Sequence, residues 1–316
     1  DCIDGFGAAY AAWRKFGDAA VYRPMHHGEH WQAEEFSGHE VFILDFSFPP
    51  ESLRKIAATA HAVTQIDHHA SALAAWAGQL TPRADGQLHR IDGERPLHVI
   101  FDMQKSGARL AWEYFHPDVP VPPALLMIEE QDLWRFNHPD TRSFCRALRL
   151  QPFDFAAWDN IVRASESGNC TYIEHLAAGR AVETFFQREI ERMTGSQSVM
   201  PARLRGEPVD ALQAQRHGQE IIVDDDRAWL AVRGLAINAN ALFASELGHH
   251  LATASHTFGL IWQLSGDGLV KASLRASGAM DVAVIAARYG GGGHPKAAGF
   301  RLPAQRFFSE VLAIGG

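Results

Sequence analysis

Asp67-His68-His69 is the tripeptide with the most chemistry in the first half of this 316-residue chain. It closes an apolar strand pattern, Ala62-Val63-Thr64-Gln65-Ile66, and Asp45 closes another, Val41-Phe42-Ile43-Leu44. Asp4 is followed by Gly5 and Gly7, which fit a tight turn from a truncated strand into a helix. Asp132 comes later, in Glu129-Glu130-Gln131-Asp132-Leu133-Trp134. An Asp-His-His string alone also fits a polar strand end with a satisfied histidine, so its context has to decide. In open α/β sheets the ligand crevice lies beyond the carboxyl ends of the strands, where Asp45 and Asp67 fall. Carboxylates and an imidazole gathered there make a ligand set for Mn2+ or Mg2+, and a pair of ions needs at least one shared carboxylate. Such a pair can activate water near neutral pH and stabilise both entering and leaving oxygens.

A second constellation lies near the C-terminus, in Gly290-Gly291-Gly292-Gly293-His294-Pro295-Lys296. Consecutive glycines remove side-chain bulk, so backbone N–H groups and the imidazole can approach an anion closely. His294 and Lys296 put basic groups beside the run, which favours this over a plain surface turn. Asp102, after Val99-Ile100-Phe101, rivals Asp45 as a bare pattern. His26-His27-Gly28-Glu29-His30 matches no zinc spacing and reads as a polar loop. Trp134 and Phe136, beside Asp132, could stack a base, with core packing as the commoner duty of such rings.

Asp4-Gly5, Asp45, Asp67-His68-His69 and Asp132, in that order, resemble the successive motifs of the DHH phosphoesterases. The run Gly290 to Phe300 resembles the glycine-rich motif of the C-terminal domain associated with that family. The resemblance implies that Asp4, Asp45, His68 and Asp132 hold one metal, with Asp45 bridging to another. It implies catalytic roles for His69, at the substrate phosphate or just behind the metals, and for Asp67, orienting a neighbouring histidine. Arg275 would grip phosphate, alongside Gly291, Gly292, Gly293, His294 and Lys296, and Ser106 in Ser106-Gly107-Ala108 would lie near the substrate. Asp102 is left a supporting role. Members commonly carry an aspartate two positions before the residue matched by Asp4, where Cys2 stands instead. Either Asp1 beside it serves from a shifted position, or Cys2 joins as a thiolate, or the second ion binds weakly, with a buried inert thiol as the plain reading of Cys2. Two Mn2+ ions are the implied cofactor, with Mg2+ or Co2+ as substitutes.

The elements that must position these residues read as an α/β protein. Residues 1–193 form a metal-binding catalytic domain built on a parallel sheet with helices on both faces. Residues 194–206, with Gly195, Ser196, Ser198, Pro201 and Gly206, read as a linker, and 207–316 as a smaller α+β substrate-binding domain. A helix over Tyr172 to Met193 closes the first domain, and closure across the linker would complete the site. Strand patterns follow at Glu220–Val223, Trp229–Val232, Gly259–Leu264 and Leu269–Leu274. With 47% hydrophobic and 21% charged residues the composition is that of a globular protein. A net charge of −8 disfavours long nonspecific tracking on nucleic acid. Cys2, Cys145 and Cys170 lack paired spacing, so neither a disulfide framework nor a zinc cluster is expected. A motif begins at the first residue, so the chain is expected to have started further upstream. No apolar run has membrane-spanning length, which makes a cytoplasmic location the default. The partner is a small phosphorylated compound or short oligonucleotide, with no membrane and a homodimer as an option. The expected function is metal-dependent, exonuclease-like hydrolysis of short oligonucleotides or small nucleotides. The alternatives are a pyrophosphatase or exopolyphosphatase, and a noncatalytic nucleotide-binding homologue.

Overall fold

Short apolar runs that end in aspartate become the parallel strands of a first sheet, and the amphipathic stretches between them become its covering helices. The computed structural model describes residues 2–26, 28–92, 96–195, 198–224 and 227–312; Asp1, His27 and Ser196 lie outside the described residues. The chain divides into two units, Asp1–Thr184 and Phe185–Gly316.

The first unit runs α1 (Ile3–Phe16), β1 (Glu40–Leu44), α2 (Pro50–Thr59), β2 (Ala62–Asp67), α3 (Ala70–Ala75), β3 (Thr81–Pro82), β4 (Leu88–Asp92), β5 (Leu97–Phe101), α4 (Gly107–Phe115), α5 (Pro123–Asp132), α6 (Thr141–Leu148), α7 (Phe155–Ser167) and α8 (Cys170–Thr194). Its sheet has the order β1-β2-β5-β4-β3. β1, β2 and β5 are parallel, as the sequence pattern requires; β4 and β3 add an antiparallel edge. Leu88-His89-Arg90-Ile91-Asp92 is too polar to announce that edge in the sequence. Period-2 alternation sends Val63 to one face, against Leu53 and Ile56 of α2, and Ile66 to the other, against Leu110 of α4. Helices therefore cover both faces. The largest core packs α1, α4, α5 and α7 around Tyr10, Trp112, Phe144 and Trp158, all at most 1% exposed.

Two local readings need correction. Asp4, Gly5 and Gly7 lie inside α1 rather than in a turn after a strand. The glycines serve close approach, not backbone freedom: a Cβ on Gly7 would stand 2.8 Å from the Cβ of Ala108 on α4. The helix expected over 172–193 is α8, but the division between units falls inside it, and its last turns carry Ile190 into the second unit's packing.

The second unit continues with β6 (Met200–Val209), α9 (Ala211–Arg216), β7 (Ile221–Asp224), β8 (Arg227–Asn238), α10 (Ala244–Ser255), β9 (Phe258–Leu264), β10 (Leu269–Ala276), α11 (Val282–Ala287), β11 (Gly292–His294) and β12 (Ala297–Pro303). Its sheet has the order β11-β12-β10-β9-β8-β6, with β7 also on β8; β8 and β9 are parallel and the other neighbours antiparallel. Residues 200–206, read as part of a linker, are strand. Pro201 and Gly206 misled: β6 is an edge strand, where proline is tolerated, and Gly206 precedes a register shift, its absent Cβ leaving room for Leu230 O, which would lie 2.8 Å away. Ala202 and Leu204 alternate into the core. Among the described residues no helix is long and apolar enough to cross a membrane.

Candidate active site

The neighbouring parallel strands β1, β2 and β5 each deliver an aspartate at the carboxyl end: Asp45 just after β1, Asp67 as the last residue of β2, Asp102 just after β5. His68 follows Asp67 and becomes the hub. Its Nε2 lies 3.1 Å from Asp45 Oδ1, 3.5 Å from Asp4 Oδ2 and 3.6 Å from Asp132 Oδ2. Residues from β1, β2, α1 and α5 thus meet at one point. Asp4, Asp45 and His68 are buried side chains, while Asp132 is 36% exposed and forms the open side of the cluster.

Backbone and glycines hold Asp45 in place. Its φ is 52°, the left-handed conformation, which costs an L residue roughly 1–2 kcal/mol. Asp is among the residues that tolerate it, and the Asp45 N–H donates to Ile66 O across the sheet at 3.0 Å. A Cβ on Gly107 would come within 2.5 Å of Asp45 Cβ and Oδ1, and one on Gly5 within 3.1 Å of Oδ2. Asp4 is held differently. Gly107 N and Ala108 N, in the first turn of α4, donate to its two oxygens at 2.7 and 3.0 Å. The positive end of that helix therefore favours its charge.

Electrostatics within the cluster call for a cation. Burial, then the charges of Asp45 and Asp132, hold the Asp4 carboxyl well above the usual carboxylate range. Burial also raises Asp132, with Asp45 adding to the effect and His68 opposing it. Burial alone would lower His68, but the Asp45 hydrogen bond and the charges of Asp132 and Asp4 lift it to about 9. His68 thus stands in the middle of three carboxyl groups. Two overlapping groups, Asp45/Asp67/His68/His69 and Asp4/His68/Asp132, each bring ligand atoms within 4.8 Å of one another. This donor set fits a hard divalent ion.

Asp67 and His69 form a separate pair. His69 Nδ1 and Asp67 Oδ1 are 2.6 Å apart, and Ser47 Oγ donates to Asp67 Oδ2 at 2.5 Å. Burial opposes the charge of Asp67, but the bonds from His69, Ser47 and the His68 N–H outweigh it and hold its carboxyl low. The same Asp67 bond raises His69. Asp102 accepts from Gln104 N at 2.9 Å and shapes its own turn.

Ser106 does not reach a substrate surface. It is fully buried and caps α4, with Oγ accepting from Arg109 N at 3.4 Å. The buried acid that sequence reasoning missed is Glu129, whose carboxylate accepts from Ser106 N at 3.1 Å and Arg109 Nη1 at 2.7 Å. It ties the start of α4, which holds Asp4, to the helix that carries Asp132. The available sign was its place three residues before Asp132 on one helix. Cys2 is the N-cap of α1: its sulfur accepts from Gly5 N at 3.1 Å and donates to Asp45 Oδ2 at 3.5 Å. Although the residue as a whole is exposed, protein packed around its sulfur, then Asp45, push the thiol up to about 12. Its thiol form suits capping; Asp1 lies outside the described residues.

In the second unit Arg275 on β10 and His294 on β11 both pair with Ala297 of the strand between them. Directly opposed residues share a face, so the two stand in one row about 10 Å apart with a methyl group between them. Arg275 lies over Gly248, where a Cβ would be 2.7 Å from its Cγ, and its Nη2 donates to Ser245 Oγ at 2.8 Å. Lys296 departs from the substrate role: its ammonium donates to the carbonyls of Gly278 and Met280 and holds that turn. The glycine run is partly structural. Gly290 and Gly293 have φ of 76° and 143°, and a Cβ on Gly291 would fall 2.1 Å from Gly299 O. Gly292 alone of Gly291, Gly292 and Gly293 has open space where its Cβ would stand.

Residues 243–314 match the DHHA1 domain family. This match bears out the resemblance of the run Gly290 to Phe300 to the C-terminal domain associated with the DHH phosphoesterases. The chain is 26% identical over 319 aligned residues to the uncharacterized protein R106 of Acanthamoeba polyphaga mimivirus, across 94% of this chain and 65% of that protein. It thus spans about two thirds of that relative's length. A solved structure, a pGpG-specific phosphodiesterase PggH from Vibrio cholrae, aligns at 10% identity and a TM-score of 0.37, covering 86% of this chain and 94% of that one. A likeness at that level carries no argument about chemistry.

Proposed function

We propose that this chain, which carries a DHHA1 domain behind an ordered set of DHH-like acidic motifs, is a divalent-metal-dependent phosphoesterase acting on short oligonucleotides or small nucleotides. The observation that carries the proposal is the meeting of Asp4, Asp45 and Asp132 on His68 at the carboxyl ends of parallel strands. Asp4, Asp45, His68 and Asp132 would hold the ion, with Mn2+ the first choice. A bound ion supplies Lewis acidity, making water a better nucleophile and offsetting phosphate charge.

The chain's own residues do the rest. Asp45 sends one oxygen to His68 and the other toward Cys2, the placement a shared carboxylate needs. Gly107 and Ala108 fix both oxygens of Asp4 from one side, leaving their other lone pairs for a ligand. His69, oriented by Asp67 through Nδ1, would meet a phosphate oxygen or move a proton. In the second unit, Arg275 and His294 offer a row of donors suited to phosphate oxygens, with Gly292 beside it.

The test is a substrate panel with chelator-treated protein and added Mn2+, Mg2+ or Co2+: a 5′-phosphorylated dinucleotide, a 3′,5′-bisphosphate nucleotide, pyrophosphate and a polyphosphate. Metal-dependent release of nucleotide or phosphate from the first two supports the proposal. Turnover of pyrophosphate or polyphosphate alone transfers the same site to inorganic substrates, and binding without turnover makes the chain a nucleotide-binding protein.

A further inference from the structure

The segment between α5 and α6 begins at once after Asp132, the exposed member of the acidic cluster. Two of its residues, Trp134 and Phe136, have left-handed backbones with φ of 56° and 50°. Neither is a residue type that tolerates this conformation, so the surrounding structure must impose it. The bonds that do so are present. Glu130 Oε2 accepts from His138 N at 2.8 Å and Thr141 Oγ1 at 2.6 Å, and Glu130 O accepts from Arg135 N at 2.8 Å. Arg135 Nη2 donates to Gln104 O at 2.8 Å, on the turn that leads into α4. The segment is therefore pinned at both ends, and its start adjoins Asp132.

What the strained segment presents is aromatic. The rings of Trp134 and Phe136 meet edge to face, 4.8 Å between centroids, and the Arg142 guanidinium of α6 lies 3.6 Å from the centre of Phe136 and 5.4 Å from that of Trp134. All three side chains are half-buried. Among the described residues neither ring belongs to a hydrophobic core cluster.

We infer that Trp134, Phe136 and Arg142 form a nucleobase platform beside the acidic cluster. The inference rests on the phosphoesterase reading and deepens it by naming the residues that would hold the substrate's base. Planar rings and a guanidinium stack on any nucleobase without reading its edge, whereas an inorganic phosphate chain has no planar face to offer.

The experiment compares binding of AMP and ribose 5-phosphate to the full chain by calorimetry, with Ca2+ replacing Mn2+ so that neither ligand is consumed. The wild type should prefer AMP by roughly ten- to hundredfold, the worth of one stacked base. Trp134→Leu and Phe136→Leu, which keep apolar bulk, should each bring the ratio to within about threefold of unity, and Arg142→Gln should lower it in the same direction. A wild-type ratio near one overturns the inference even if no variant folds. So does a wild-type preference that persists in variants with native circular dichroism. Failure of the underlying reading looks different: a chain that prefers AMP but hydrolyses nothing keeps the platform and loses the phosphoesterase activity. Hydrolysis without base preference does the reverse.

Discussion

Around Asp45 three residues far apart in sequence share one small volume: Gly5, Gly107 and the aspartate itself. Gly107→Ala is therefore expected to act through Asp45. Its methyl group would overlap that carboxylate, so overpacking should cost about 1–3 kcal/mol of stability and weaken Mn2+ binding at the same time. Calorimetric melting together with Mn2+ titration checks this; lost stability with unchanged Mn2+ affinity would separate Gly107 from the site. At this scale the sequence was partly legible. Asp45 and His68 could be named from residue type, strand ends and motif order together, whereas Asp4 and Asp132, which lie on helices, could be named only from motif order. Gly107 and Glu129 could not, because their duties depend on α4 meeting α1 and α5 across long stretches of chain, 103 residues in the case of Gly107 N to Asp4.

Among the elements, the hairpin of β11 and β12 separates structural from functional glycine. Gly291→Ala should destabilise by about 1–3 kcal/mol or more, since its methyl group would meet the β12 backbone. Gly292→Ala has open space and should leave stability within about 0.5 kcal/mol, yet impair turnover if substrate phosphate approaches the run. Thermal melts paired with kcat/KM read both; a loss of stability at Gly292 equal to that at Gly291 would return the whole run to a structural role. Strands with clean apolar runs, such as β1, β2 and β10, were visible in the sequence. β4, β6 and the β11–β12 hairpin were hidden because polar, proline and glycine residues sit where pairing, rather than composition, makes the strand.

For the whole molecule, acid stability offers a test of the first sheet. His89 Nδ1 lies 2.9 Å from His98 Nε2 and 3.3 Å from Arg83 Nη1, and Nε2 is 2.8 Å from Gln87 Oε1. Burial, then His98 and Arg83, lowers its value from 6.5 to about 4. A folded-state value below the unfolded one means the unfolded chain takes up the proton first. The contribution of neutral His89 is thus present above about pH 6.5 and is lost as pH falls toward 4. His89→Gln should flatten the stability curve in that window, measured by denaturant melts; an unchanged slope would show that His89 does not set it. The α/β class was readable from alternating patterns and two units were expected from chain length, whereas the position of the division was not readable, because one continuous helix, α8, crosses it.

The central claim is that the acidic cluster serves hydrolysis by holding a divalent ion, and Asp45→Asn addresses it with least disturbance, since Asn also tolerates the left-handed backbone found there. The decisive measurement is the dependence of dinucleotide turnover on Mn2+ concentration for the wild type and this variant, both verified as folded. Saturable activation of the wild type, and a loss on the order of a hundredfold or more in the variant at every Mn2+ concentration, is the result expected if Asp45 shares the ion. Activation of the variant at the same half-saturating Mn2+ and to within about twofold of the wild-type rate would contradict the assignment of this cluster as the metal centre.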